Sequence, residues 1–290
     1  MRTRFLAVAL IAGLSLAPEA RSAKEGNLTA GLRAQLPLAA LKASGQTVTP
    51  AYEGWYKNPD GTFSLSFGYY NRNSEEVVEI PLGPNNFIES GDANQGQPTR
   101  FQPGRHWGVF AVRVPADFGA NTKTWTLKIR GATYAIPGGL HPNWQIDALA
   151  GEAGSGNTPP TLRFDAKGPT GSGPFGITAG PIAAIPGEPV SLTVWASDDG
   201  RASGSVGSSG RGAVPVTLTW FEHQGPAGVT FNPNTARVPT DGGQAVTVAT
   251  FPEAGDYIVR VRANDASGVA NAGHAQCCWT NGFVKVRVQR

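Results

Sequence analysis

The sequence predicts an all-β protein: two β-sandwich units in tandem, behind an export signal and a short helical lead-in. Three observations carry this reading. Glycine and proline are abundant, 38 and 23 of 290 residues, against one methionine and 16% charged residues, a composition suited to short strands joined by turns. Alternating apolar and polar residues recur in both halves, as in Leu192-Thr-Val194-Trp195 and Tyr257-Ile-Val259-Arg-Val261-Arg. Between the halves runs AGEAGSGNTPP, Ala150 to Pro160, small, flexible and closed by two prolines. The expected organisation is a signal peptide over 1–22, a lead-in over 23–48, a first sandwich over 49–149, a linker over 150–160 and a second sandwich over 161–290.

The signal is read from three parts. Met1 to Arg4 is basic, Phe5 to Ala17 is apolar but too short to span a bilayer, and Ala20 and Ser22 put small residues at the −3 and −1 positions of a cut. The other reading of the run is a buried N-terminal helix. No cysteine follows it to take a lipid anchor, and no later stretch is long and apolar enough for a membrane helix. The expectation is a periplasmic or secreted protein with no membrane insertion after cleavage. The formal charge of +3 falls to +1 once Arg2, Arg4, Glu19 and Arg21 depart, and the basic residues are scattered. Nothing there attracts nucleic acid.

Asn27 to Ser44 spaces Leu32, Leu36, Leu38 and Leu41 for a helix, but Pro37 limits it to a turn or two. Strands begin at Ala51. Ala51–Tyr56 and Thr62–Tyr70 flank Asn58-Pro59-Asp60-Gly61, where proline presets a turn and glycine closes it, so they form a hairpin. Val77–Pro81, Trp107–Val114, Thr124–Ile129 and Thr133–Ile136 complete the first half, and Gly83 to Gly104 is expected as an ordered loop. The second half offers Thr161–Asp165, Val190–Ser197, Val214–Phe221, Gly228–Phe231, Ala245–Phe251, Asp256–Asn264 and Phe283–Val288.

Leu218-Thr-Trp220-Phe, Gly225-Pro226 with Val229-Thr-Phe231, and Thr250-Phe251 with Gly255-Asp-Tyr257 and Arg260-Val-Arg262-Ala-Asn264-Asp265 resemble the PKD-like branch of immunoglobulin-like sandwiches. The resemblance covers about Pro160 to Arg290 and departs from many members in lacking a Gly-Asp-Gly turn after the tryptophan strand. It implies a core role for Trp220, a corner position for Tyr257, and a spacer or recognition module without catalytic residues. The first half resembles another secreted bacterial immunoglobulin-like module.

Chemistry-bearing motifs are few. None of His106, His141, His223 and His274 has a second His or Cys at zinc spacing, and no nucleophile elbow, phosphate loop or dinucleotide fingerprint occurs. Glu75, Glu76, Asp198 and Asp199 are candidate carboxylates, yet no spacing marks a pair across a sugar cleft. Asp198, Asp199 and Asp265 end strands at one end of the second sandwich, where three oxygens suit a structural Ca2+; loop capping by Asx-turns is the preferred reading of the same residues. Trp55, Tyr56, Tyr69, Tyr70, Trp107, Trp125 and Trp144 crowd the first half, and adjacent pairs place one ring on each strand face, where an outer ring offers a surface for sugars or a protein partner to stack; core or domain-interface packing is the preferred reading of each ring taken singly.

The only cysteines, Cys277 and Cys278, are neighbours. Consecutive Cα atoms lie about 3.8 Å apart across a trans peptide, below the usual disulfide range of about 4.4 to 6.8 Å. An oxidised pair therefore needs a tight turn and closes almost no loop, which gives it little entropic value; its expected use is to stiffen a turn and present an apolar knob beside Trp279, and two buried thiols are the other reading. The pair sits in the segment Asp265 to Asn281, expected to gather with Asp198 to Ala213 and Asn232 to Gln244 at one end of the sandwich. The candidate ligand-binding residues there are Arg201, Arg211, His274, Cys277, Cys278 and Trp279. The expected function is non-catalytic binding or spacing, with a glycan or a cell-envelope or extracellular protein as partner. The alternative is an exported hydrolase acting on glycans, its site in the first half.

Overall fold

Residues 42–150, 156–201, 214–267 and 277–289 are described by a computed structural model, and all belong to one compact unit spanning Leu41–Arg290. The expected signal peptide, residues 23–41 of the lead-in, residues 151–155 of the linker, Arg211 and His274 lie outside the described residues.

The first half contains β1 (Val48–Lys57), β2 (Phe63–Asn71), β3 (Val78–Glu79), β4 (Asn86–Ile88), β5 (Arg100–Phe101), β6 (Gly104–Val114), β7 (Thr122–Ile129) and β8 (Ala132–Gly139). Two three-stranded sheets, β1-β2-β6 and β4-β7-β8, enclose a core in which Phe67, Phe110 and Trp125 meet at 5.0 to 6.1 Å between ring centres. The β1–β2 hairpin turns where proline and glycine placed it, with Gly61 at φ +85° donating its N–H to Asn58 O at 3.0 Å. Strands β4 and β5 lie inside the expected loop Gly83 to Gly104. Three and two residues are too few to show alternation, which is why the sequence reads as loop there. Its order comes from buried amides: Asn86 Nδ2 donates to Ile80 O and Pro98 O at 2.9 and 2.7 Å, and Asn86 Oδ1 accepts from the indole of Trp125 at 3.0 Å.

The second half contains β9 (Thr161–Arg163), β10 (Ile177–Ala184), β11 (Pro189–Ser197), β12 (Val216–Gln224), β13 (Thr230–Asn232), β14 (Thr235–Val238), β15 (Gly243–Thr250), β16 (Gly255–Asn264) and β17 (Trp279–Val288). A five-stranded sheet β10-β17-β16-β12-β14 faces a four-stranded sheet β13-β15-β11-β9. Trp220 and Tyr257 are buried in the core between them, and the Tyr257 hydroxyl donates to Glu253 O four residues upstream at 2.9 Å, the corner hydrogen bond of immunoglobulin-like sandwiches. Strand β10 was not expected. Gly180-Pro181 breaks its pattern, and proline is tolerated because β10 is an edge strand, paired in parallel to β17 with a register shift across that dipeptide. The expected long loop Asn232 to Gln244 is broken up by β14, paired to β12, and by the ends of β13 and β15, so that only two short turns, 233–234 and 239–242, remain.

Strand β17 starts at Trp279, four residues before its expected beginning. Residues 277 to 284 are all buried, so no alternation marks the strand. The reason is that the five-stranded sheet is covered on both faces. Its outer face carries Phe221, His223, Ile258, Arg260, Trp279, Asn281 and Phe283, and the first half packs on it. In β6 the register breaks opposite Gly68, so Trp107 to Val109 bulge toward β17. Gly108, at φ +45°, lies against the Trp279 ring so closely that a Cβ would sit 2.3 Å from Cζ2. The bulge carbonyls accept hydrogen bonds from the second half: Gly108 O from Asn281 Nδ2 at 2.7 Å, Val109 O from Arg260 at 3.3 Å. The Gly83–Gly104 segment adds a second line of contact. His223 Nε2 donates to Gly96 O at 2.8 Å, Gln224 Nε2 donates to Gln97 O at 2.6 Å, and Arg100 pairs with Glu222 at 2.7 Å.

Candidate functional site

Of the loops expected to gather at one end of the second sandwich, residues 202–213 and 268–276 lie outside the described residues, and what is described is the base of each of these two. Asp198 N donates to Thr240 O at 2.8 Å, and burial, with Asp265 and Asp199 nearby, lifts the Asp198 carboxyl to about 6. The three carboxylates work as caps. Asp199 accepts from the N–H and hydroxyl of Thr158 at 3.0 and 2.9 Å and from Arg201 N at 2.8 Å. Asp265 accepts from Asn157 Nδ2 at 2.7 Å and from Ser267 N at 2.8 Å. Asp198 accepts from Gly200 N at 2.9 Å, while Asp199 and Asp265 fasten the end of the linker to the sandwich. Arg201 is exposed and donates to Gly156 O at 3.0 Å. Among the described residues no group of three or more His, Cys, Asp or Glu side chains is arranged to hold a metal ion.

Cys277 and Cys278 are bonded to each other across a cis peptide. They are not presented to solvent: Cys277 is 3% exposed, Cys278 and Trp279 are 0%. The sulfurs lie 3.3 and 3.6 Å from the Asn157 carbonyl oxygen. Trp279, directly after them, packs on Gly108. The pair thus braces the point where linker, β17 and the β6 bulge meet. An exposed knob beside Trp279 is not what this geometry offers.

The open aromatic surface lies in the first half. Tyr56, Tyr69 and Trp125 are buried, and Trp55, Tyr70 and Trp107 are half-buried. Trp107 has Arg105 over its ring at 3.8 Å. That guanidinium pairs with Glu53 at 2.6 Å, and burial lifts Glu53 to about 7 against the pull of Arg105. Both are structural groups inside the bulged region. Trp144 alone among the tryptophans is exposed, at 51%.

Trp144 is held by its neighbours. His141-Pro142-Asn143-Trp144 forms a 3-10 turn in which Pro142 takes an early position and His141 Nδ1 accepts from Asn143 N at 3.2 Å. The Trp55 indole donates to His141 O at 2.8 Å, and Ile146 N donates to Trp55 O at 2.9 Å. Strand β1 bulges between Tyr52 and Gly54. At Gly54, φ +128°, a Cβ would meet Trp144 O at 2.5 Å, so glycine is what lets the turn lie on the strand. The result is a cleft of about 750 Å³ with Tyr52, Trp144, Ile136, Leu140 and Pro137 as apolar walls and Asn121, Thr122 and His141 among its polar groups. The Tyr52 and Trp144 rings lie 5.8 Å apart at 47°. Tyr52 donates its hydroxyl to Gly139 O at 2.7 Å, which fixes the half-buried ring between Phe67 and Trp144. No Asp or Glu lines the cleft. Sequence reasoning included Trp144 but missed Tyr52 and His141; the signal was Leu140-His141-Pro142-Asn143-Trp144, a proline turn carrying an aromatic just after a strand ends in Gly138-Gly139.

No protein-family model matches the chain, and no curated protein does. Among solved structures it is similar to a PapD-like domain of human CEP192, at 10% identity over 46% of this chain and 87% of that one, with a TM-score of 0.27. It is similar also to the Yersinia pseudotuberculosis adhesin InvE, at 15% identity over 83% of this chain and 58% of that one, TM-score 0.25. Domains 4 and 5 of the S-layer protein SbsC show 12% identity over 84% and 98%, TM-score 0.24. Likenesses at these scores carry no argument about what this chain does.

Proposed function

We propose that this is an exported, non-catalytic glycan-binding protein that holds a neutral saccharide in the cleft framed by Tyr52 and Trp144. The observation that carries the reading is Trp144 itself: a large apolar ring, half exposed, beside Tyr52 at 5.8 Å and carried on a turn whose backbone is held by the Trp55–His141 hydrogen bond and the Gly54 contact. An indole on a turn held in this way is a platform for the C–H face of a pyranose, because the backbone beneath it loses little conformational freedom on binding. Tyr52 provides a second, inclined surface, and Asn121, Thr122 and His141 offer hydrogen bonds to hydroxyls. The absence of a carboxylate from the lining favours binding over hydrolysis, which needs an acid and a base or nucleophile across the scissile bond. The second half, docked through Trp279 and Phe283, acts as the support that presents this cleft. Among the described residues no helix is long and apolar enough to cross a membrane, and export rests on the N-terminal signal.

A glycan array probed with the mature protein tests the proposal. The expected result is binding to one class of neutral glycan, weakened about tenfold or more by Trp144→Ala. The melting temperature should hardly move, since an exposed ring contributes little to the core. Undiminished binding by the variant would overturn the assignment of the site.

A further inference from the structure

A second cavity lies at the seam where the two halves dock, away from the Trp144 cleft. Its volume is about 350 Å³, at the small end of the range of about 300 to 1,000 Å³ found for ligand sites. Phe175, from the segment before β10, and Phe283, from β17, bring phenyl rings to it, and Phe110 of β6, 1% exposed and stacked on Phe67 in the core of the first half, closes its floor. Ile258 and Ala111 complete the apolar surface. The lining contains no Asp or Glu and one cation, Lys285. Lys285 is exposed, and among the described residues its ammonium makes no hydrogen bond or ion pair.

We propose that this crevice binds a small planar aromatic monocarboxylate, its ring system between Phe175 and Phe283 and its carboxylate on Lys285. Two aromatic walls favour a flat apolar body, which gains offset and edge contacts as well as area burial. Lys285 is the one cation of an acid-free lining, and with Arg113 behind the Phe175 ring at 4.4 Å it favours one negative charge. The polar groups nearby are already committed in ways that leave the apolar floor undisturbed. His223 donates Nε2 to Gly96 O at 2.8 Å and burial pushes its pKa down to about 3, so the ring is neutral near pH 7. Asn94 and Gln224 exchange side-chain hydrogen bonds at 2.9 and 3.0 Å. Because both halves line the cavity, its occupant grips the docked arrangement and stabilises it.

The probes are 2-naphthoate and its uncharged counterpart 2-naphthylmethanol, titrated calorimetrically and followed by thermal shift. Naphthoate is expected to bind and to raise the melting temperature, and the alcohol to bind at least tenfold more weakly. Lys285→Gln is expected to bring naphthoate down to the level of the alcohol while leaving the alcohol unchanged. Thr178→Trp, at an exposed lining position on β10, is expected to block both. Trp144→Ala should leave all of these values alone, which separates this site from the glycan cleft. Absence of naphthoate binding at millimolar concentration, equal binding of acid and alcohol to the native protein, or unaltered naphthoate binding by Lys285→Gln would each overturn the proposal, whether or not Thr178→Trp folds.

Discussion

Trp220→Ala is expected to lower the folding free energy by about 3 to 5 kcal/mol, the range for deleting a large buried aromatic. Trp220 is 2% exposed in the middle of β12, flanked along the strand by the inward side chain of Leu218 and stacked on Phe231 with ring centres 6.0 Å apart. It sits between the two sheets of the second half, and relaxation around it is limited because β12 is paired on both sides, to β14 and β16. The effect should extend beyond this core. The outer face of the same sheet carries the docking surface for β6, so loosening β12 and β16 also withdraws support from the first half. Denaturant unfolding followed by far-ultraviolet circular dichroism gives the measurement. An unchanged midpoint would mean that Trp220 does not hold the sandwich together.

The second large effect belongs to His223. Its ordinary pKa is about 6.5, and in the folded protein burial, reinforced by Arg260, holds it near 3 although the Gly96 carbonyl favours the charged form. Between these values the unfolded chain takes up a proton that the folded chain refuses, so His223 makes stability fall as the pH drops. The slope is about 1.4 kcal/mol per pH unit. Other groups run the opposite way: Glu53, lifted to about 7, and Asp198, lifted to about 6, are protonated earlier in the folded state and gain stability on acidification. Overall acid stability therefore mixes opposing contributions, and comparison with His223→Gln isolates one of them. Glutamine keeps an N–H donor for Gly96 and does not titrate. Between pH 7 and pH 4 the native protein is expected to lose about 3 kcal/mol relative to the variant. A difference that stays flat over this range would show that the histidine is protonated, or accessible, in the folded state.

Much of the fold was legible because turn chemistry and alternation agree. Asn58-Pro59-Asp60-Gly61 marks its hairpin, and Tyr257 to Arg262 marks β16, since in both places one local rule decides the outcome. Legibility fails where tertiary contact overrides local pattern. Trp279 to Gly282 looks like the end of a loop, but becomes strand because its outer face is roofed by the first half. Gly180-Pro181 reads as a break and is a kinked parallel edge. The short strands β4 and β5 exist because Asn86 and Arg100 find partners far away in sequence. The sites divide similarly. Burial moved Cys277, Cys278 and Trp279 from an expected loop surface into the seam, an outcome that depends on Gly108, 171 residues from Trp279. Trp144 was visible as an aromatic in the first half, whereas Tyr52 became part of a cleft only through the bulge beside it.

A glycan held in the cleft covers Trp144 and shields its indole from reagents in solution. Limited oxidation of tryptophan with N-bromosuccinimide, mapped by peptide mass spectrometry, reads this position among all seven tryptophans. Trp144 is expected to be oxidised first, ahead of the half-buried and buried indoles. A saturating concentration of the glycan identified on the array should protect it while leaving the rates at Trp55, Trp107 and Trp195 unchanged. Oxidation of Trp144 at the same rate with and without bound glycan would contradict the account.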